Sequence, residues 1–513
     1  MVLEIPFLKD ISVKFKLRYV EINFIFCQLL ALAFSYFFRW VLHPRRTSAN
    51  TRHLAQIIFG IIVAYIAFGW NGLLHMFINS SICYVLMLTM SPSTVQIYVF
   101  FVSMVYMSGV HVYHQLGGFG VFNLDYIGPL MMLTMKLGSL AYSIHDGMAR
   151  DEEHLNDIQK KMLTKEVPRP LEFYSFIFCV SSLLAGPVCF FTEYIEFVEG
   201  SKFRKVVRDE KGEIKVVYDD PSSAGAVIRK LIITVLSAVV LVMLVPKVPI
   251  WGNVDPVHIS ERSFLYKIGY LLLSIELAKS KYFLGWVFAD AINNAAGIGF
   301  AGYDKKGRPK WNGISNIRII DFETATSLKT LIENWNITGT IWLRHCCYDR
   351  VPFQKRLFTF ILSAVWHGFY PGYFATFMSA AFFSAVAAKL RYSIRPYFLK
   401  SVRTKQLYDV ITWFVTHLTL AYFIAPFTFL KVAPTIEYFN SIYWFLHILG
   451  LVALIVLPRP KRRVKSTEEK VEKNHNMSNH THHNGSALNG SAHTLVASDL
   501  MKMAVNGEDK KQR

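Results

Sequence analysis

His367 stands in Leu362-Ser363-Ala364-Val365-Trp366-His367-Gly368-Phe369-Tyr370-Pro371-Gly372-Tyr373, inside a 32-residue stretch (357–388) without Asp, Glu, Lys or Arg. A polar side chain is expensive in an apolar segment, so its presence there points to function. At about 1.5 Å per residue the stretch would make a helix of roughly 48 Å, longer than a hydrocarbon core of about 30 Å. Gly368, Pro371 and Gly372 are therefore expected to break it. Broken helices at membrane depth are tolerated where they line a cavity or pack in protein. An imidazole beside such a break suits a general base near neutral pH. The competing reading is a packing histidine bonded to a freed carbonyl, because His75, His111, His114, His417 and His447 also stand in apolar surroundings.

Upstream lie Glu333-Asn334-Trp335-Asn336-Ile337 and Trp342-Leu343-Arg344-His345-Cys346-Cys347-Tyr348-Asp349-Arg350. Taken alone, an Asn such as Asn336 near a membrane boundary reads first as structural, or as a glycosylation accident. It opens an Asn-Ile-Thr glycosylation sequon with Thr338. His345 and Asp349 form His-x-x-x-Asp, but on a helix that spacing reads first as a surface contact. Cys346 or Cys347 as an acyl-enzyme nucleophile is a weaker alternative. No histidine is followed by Asp five residues later, and there is no Gly-x-Ser-x-Gly elbow and no P-loop. No metal site is expected.

The elements that must hold these residues follow from the charge map. Residues 53–124 contain no Asp, Glu, Lys or Arg over 72 positions, enough for three spans of about 20 residues. Breaks are expected near Trp70-Asn71-Gly72 and Ser91-Pro92-Ser93. Further apolar runs cover residues 22–38, 126–144, 173–192, 231–246, 263–303, 410–430 and 438–457. The expected fold is an all-α integral membrane protein, a multi-pass helical bundle of about 10–12 spans occupying residues 1–457. The segments 146–169, 193–230 and 304–356 read as polar loops or connectors.

Composition agrees: 53% of residues are hydrophobic and 18% charged, against about 25% charged in soluble domains. Six cysteines in 513 residues do not make a disulfide framework. The net charge of +19 fits basic loops against anionic lipid rather than nucleic acid. Residues 458–513 turn abruptly polar and are expected to form a disordered tail. Arg459, Lys461, Arg462, Arg463 and Lys465 follow the last apolar run and argue for a cytosolic C-terminus. Lys510 and Lys511 stand fourth and third from the end, like the dilysine signal read by a COPI-type retrieval receptor. Sequons at Asn476, Asn479, Asn484 and Asn489 and the tail histidines read as products of biased composition.

The order Asn334-Trp335-Asn336, Trp342-Leu343, Tyr348-x-Arg350, then Trp366-His367-Gly368-x-x-Pro371-Gly372-Tyr373 resembles the membrane-bound O-acyltransferase (MBOAT) family, specifically its lysophospholipid acyltransferases. Pro170-Leu171-Glu172-Phe173-Tyr174, Ala185-Gly186-Pro187 and Tyr194-Ile195-Glu196-Phe197-Val198-Glu199-Gly200 agree. The resemblance runs from residue 20 to residue 458 and is strongest to animal enzymes of lysophosphatidylethanolamine and lysophosphatidylserine. It implies a helical bundle around an internal reaction chamber in the endoplasmic reticulum membrane. His367 and Asn336 then form the catalytic pair. Acyl-CoA is the co-substrate, with no resident cofactor, and a lysophospholipid (lysophosphatidylethanolamine, -serine or -choline) supplies the acceptor hydroxyl. Substrate contacts are expected at Trp335, Tyr348, Arg350, Trp366 and Tyr373, and coenzyme A phosphate contacts at Arg344, Lys355 and Arg356. Transfer to a sterol or protein, and a lipid transporter, are the alternatives.

Overall fold

The computed structural model describes residues 4–15, 18–118, 125–208 and 214–458. The basic flank, sequons, histidines and dilysine signal of residues 459–513 lie outside the described residues. Two compact units are distinguished. In the smaller, Arg204–Arg208 pairs antiparallel with Ile214–Tyr218, Arg204 opposite Tyr218 and Arg208 opposite Ile214. In the larger the regular structure among the described residues is helical, apart from one isolated bridge between Tyr303 and Pro309.

Helices dominate because a chain this apolar must satisfy its backbone polar groups within each segment. The charge-free stretch from residue 53 breaks at both expected places. Ala49–Thr89 is kinked at Gly69, and Met90–Thr94 separates it from Val95–Gly117. Among the described residues seven helices are long and apolar enough to cross a membrane, or eight if the bent pair Val432–Ser441 and Phe445–Val456 is one span. These long helices make the expected multi-pass bundle. Other apolar runs fold as short pieces: residues 173–192 carry the end of the Pro170–Ile177 helix, a 3-10 turn and an irregular stretch. An apolar run shows that a segment is shielded from water, not whether lipid or protein shields it. Ala224–Met243 has the opposite character, with Ile228, Ile232, Val235, Leu236, Val239 and Val242 all exposed. Such a continuous apolar face belongs against lipid.

Three packed groups of side chains matter for the site. One gathers Phe34, Phe38, Val63, Leu137, Phe173 and Phe176 in the N-terminal half. Another gathers Phe383, Tyr422, Phe429, Tyr438 and Phe439 near the C-terminus. A third holds Met104, Met107, Met135, Trp342, Cys346 and Trp366.

Buried cations staple helix ends in the N-terminal half. The Lys136 amine donates to the carbonyls of Phe176 (2.9 Å) and Ile177 (3.2 Å) at the end of the Pro170–Ile177 helix. Arg52 donates to the carbonyls of Val198 (2.7 Å) and Phe197 (3.3 Å) while its guanidinium lies 4.1 Å over the Phe38 ring. Carbonyls at helix ends lack intrahelical partners, and in an apolar interior water cannot substitute.

Gly60 brings the Ala49–Thr89 helix against this region. A Cβ there would sit 1.9 Å from the Phe178 carbonyl oxygen. We expect Gly60→Ala to lower the thermal midpoint of the detergent-solubilised protein, with an overpacking cost of about 1–3 kcal/mol. Gly109→Ala, where a Cβ meets nothing within 4 Å, should leave the midpoint unchanged or raise it.

Candidate active site

His367 is the last residue of the Lys355–His367 helix. The following Gly368 adopts φ +118°, ψ −177°, which a side chain would make costly, and its N–H bonds back to Ala364 and Val365. Pro371 then opens the Pro371–Phe398 helix at a position that needs no donor. The break expected from the length of the apolar run is therefore present, directly after the histidine.

The His367 imidazole is half-buried among rings. It stacks on Phe377 at 5.2 Å (21°), meets Phe427 edge-on at 5.1 Å, and lies 5.7 Å from Tyr373. Among the described residues no hydrogen-bond partner reaches its nitrogens, and neither nitrogen is sealed away from solvent-sized space. Four of the five other histidines in apolar surroundings differ in this respect. His75 bonds Tyr106, His111 the Trp366 carbonyl, His114 both Tyr126 and Asp125, and His447 both Ser379 and Tyr422. The packing-histidine reading describes those four and not His367.

Trp366 is held from two sides. Its indole N–H donates to the Met131 carbonyl (3.1 Å), and its own carbonyl accepts from His111 Nε2 (3.2 Å). A Cβ on Gly368 would approach His111 Nδ1 to 3.1 Å, so that histidine packs directly over the turn. His111, on the Val95–Gly117 helix, was not singled out by sequence reasoning beyond its apolar surroundings. Its partner is 255 residues away, and no local pattern signals the contact.

Asn336 precedes the Ile337–Leu343 helix in the left-handed region, φ 47°, ψ 55°. Asparagine tolerates that conformation better than most residues. Asn316, buried and absent from the expected site, grips the same loop: its Nδ2 donates to Asn336 Oδ1 (3.2 Å), its Oδ1 accepts from Thr338 N–H (3.0 Å) and Thr338 Oγ1 (2.8 Å), and its carbonyl accepts from Ile337 N–H (2.8 Å). Trp335 enters an aromatic cluster with Tyr282, Trp286 and Phe322, at ring separations of 5.3, 5.0 and 4.9 Å. The Asn336 helix meets the His367 helix through Trp342 and Trp366, 5.5 Å apart.

The remaining expected residues separate into two groups. Tyr373 borders His367, whereas Trp366 serves to hold it. Arg344, Tyr348, Lys355 and Arg356 lie around the start of the Lys355–His367 helix, Lys355 being 5.9 Å over the Tyr348 ring. Arg344 and Arg356 are exposed, and Arg344 has only a 3.3 Å contact to Asp349. Arg350 is engaged inside the protein instead. It forms a two-pronged ion pair with the fully buried Asp146 (2.8 and 2.5 Å), donates to the His345 carbonyl (2.9 Å), and lies 4.8 Å over Tyr142. His345 and Asp349 do not form a dyad: residues Arg344–Tyr348 make a π-helical turn, both His345 nitrogens are enclosed without a partner, and Asp349 binds Asn156 and Arg344. Among the described residues no group of three or more His, Cys, Asp or Glu is placed to hold a metal ion.

Asp146 is also bonded to Arg150 (3.0 Å), but only Arg350 covers both its oxygens. Removing one partner of a buried pair typically costs about 3–5 kcal/mol. Arg350→Ala should therefore lower the thermal midpoint by several degrees, while Arg344→Ala at an exposed contact should leave it nearly unchanged.

Residues 113–425 match the MBOAT, membrane-bound O-acyltransferase family. The chain is 40% identical over 445 residues to membrane-bound glycerophospholipid O-acyltransferase 1 of Homo sapiens, covering 85% of this chain and 89% of that one. It is 37% identical over 469 residues to membrane-bound glycerophospholipid O-acyltransferase 2 of Homo sapiens, with 91% and 90% covered. Lysophospholipid acyltransferase 6 of Drosophila melanogaster is 37% identical over 456 residues, covering 87% of this chain and 63% of that one. The matched region contains both His367 and Asn336. This chain is a multi-pass membrane acyltransferase and belongs to the membrane-bound O-acyltransferase family.

Proposed function

We propose that the protein transfers a fatty acyl chain from acyl-CoA to the free hydroxyl of a lysophospholipid, remodelling membrane phospholipids, with His367 as general base and Asn336 as its uncharged partner. The observation that carries this reading is the His367 imidazole, which has no protein hydrogen bond among the described residues and ends a helix inside an aromatic enclosure. A base with a free nitrogen can take the hydroxyl proton as the oxygen attacks the thioester carbonyl. The C–O bond forms, the C–S bond breaks, and the imidazolium returns its proton to the departing coenzyme A thiolate. The names of the relatives, glycerophospholipid and lysophospholipid acyltransferases, favour a lysophospholipid over a sterol or protein acceptor and over transport.

Coenzyme A is polyanionic and cannot enter hydrocarbon, so its nucleotide end must remain at an aqueous mouth. Arg344, Lys355 and Arg356 at the start of the His367 helix are suited to its phosphates. Arg350 is left out because Asp146 occupies it. In this reading residues 1–457 form the membrane enzyme and 458–513 a cytosolic tail. Lys510 and Lys511 serve a retrieval receptor that keeps the protein in the endoplasmic reticulum.

The test is acyl transfer in microsomes with labelled acyl-CoA and a panel of lysolipids. His367→Ala should reduce turnover by about 10²–10⁴-fold, the usual worth of a general base, with the amount of membrane protein unchanged. Asn336→Ala should lose activity severely as well. Retention of most turnover in either variant removes that residue from the mechanism. Lys355→Ala/Arg356→Ala should raise the KM for acyl-CoA more than that for lysolipid. An equal rise for both substrates, or none, discards the phosphate contacts.

A further inference from the structure

We infer that Asn316 is a positioning residue that turns the Asn336 amide so that its N–H2 end faces the reaction. Asn336 then stabilises the negative charge developing on the thioester carbonyl oxygen, and does not receive the acceptor hydroxyl. This inference rests on the proposed catalytic pair and goes beyond it by giving the amide a direction.

The two ends of an asparagine amide have nearly the same shape, so only an unambiguous neighbour distinguishes the oxygen from the nitrogen. Here the backbone supplies one. The Thr338 N–H can only donate, so the Asn316 atom 3.0 Å from it is the carbonyl oxygen, Oδ1. The other end of Asn316 is then Nδ2, which also can only donate, and it lies 3.2 Å from the Asn336 amide. The Asn336 atom facing Asn316 must accept and is therefore Oδ1. What remains is Nδ2, which no hydrogen bond to a described residue engages and which is not enclosed. The bond from Ile337 N–H to the Asn316 carbonyl (2.8 Å) fixes the two segments together, and Asn316 is only 4% exposed. The orientation is thus set before substrate arrives, as an oxyanion donor requires.

Asn316→Asp tests the direction. Aspartate still accepts from Thr338 but sets an oxygen against Asn336 Oδ1, so the amide must rotate and withdraw its N–H2 from the reaction. The expected result is a fall in kcat of about 10²–10³-fold, the loss seen when one oxyanion donor is removed. KM for both substrates should stay within roughly threefold, and the variant should still accumulate in membranes although a carboxylate at this buried position lowers its thermal midpoint. Asn334→Ala is the control. It cuts bonds to Thr330 and Arg318 in the same loop without touching the Asn336 amide, and kcat should stay within roughly threefold. If Asn316→Asp does not accumulate, Asn316→Ser, whose hydroxyl is too short to reach Asn336, should give the same kcat loss. Wild-type kcat in the Asn316 variant overturns the inference, as does a rise in lysolipid KM at constant kcat, or an equal kcat loss in Asn334→Ala. Asn336→Ala decides the catalytic pair separately: if it stays active the pair falls, and if it is inactive while the Asn316 variant is active only the present inference falls.

Discussion

A helix that stops inside an apolar interior leaves carbonyls with no partner and no water to replace one, and much of this site answers that constraint. The Lys355–His367 helix ends at Gly368, and the carbonyl of Trp366 would be stranded if His111 did not donate to it. That donation ties the Val95–Gly117 helix to the turn. The Trp366 indole, bonded to Met131, ties in the Ile127–Met148 helix as well. The same requirement appears at Lys136 and Arg52, whose charges face helix-end carbonyls. With these neighbours committed to carbonyls, His367 is the histidine at the turn with neither nitrogen bonded among the described residues.

Precision at such a site comes from backbone bonds made by side chains distant in sequence. Asn316 lies in a polar connector, yet its carbonyl and side chain bind Ile337, Thr338 and Asn336 together. Because the Ile337 and Thr338 N–H groups can only donate, the loop has a defined polarity as well as a shape. Asn336 needs this support, since it occupies left-handed backbone space at the start of a short helix that could not hold itself in place.

His367 and Asn336 were legible in the sequence because each combines a costly residue type with a recognisable neighbourhood. The break after His367 followed from length alone, since the apolar run exceeds a membrane thickness. The breaks in the stretch from residue 53 were legible for the same reason. What pattern does not carry is partnership. Asp146 and Arg350 are 204 residues apart, and Arg350 reads equally well as a substrate contact until its carboxylate is found. His111 and Asn316 have ordinary local surroundings, and their roles arise only when distant helices meet. Nor does an apolar run say what shields it, because burial in protein and burial in lipid select the same residues.

The division between neutral and charged groups also follows from dielectric. An acyl transfer creates negative charge on oxygen and positive charge on the base for the duration of the reaction. A permanent ion beside them would have to be paired, as Asp146 is paired with Arg350 and Arg150. An imidazole and an amide carry no net charge at rest, so a nitrogen of either can go without a partner at far lower cost, as the His367 imidazole does among Phe377, Phe427 and Tyr373. The cations suited to a polyanionic donor sit instead at the opposite end of the His367 helix, where Lys355 and Arg356 begin it. At about 1.5 Å per residue, that helix separates them from the base by roughly 18 Å. A thioester on a long flexible arm is the kind of donor this spacing favours: its charged end can remain hydrated while its reactive carbon reaches a site that no charge occupies.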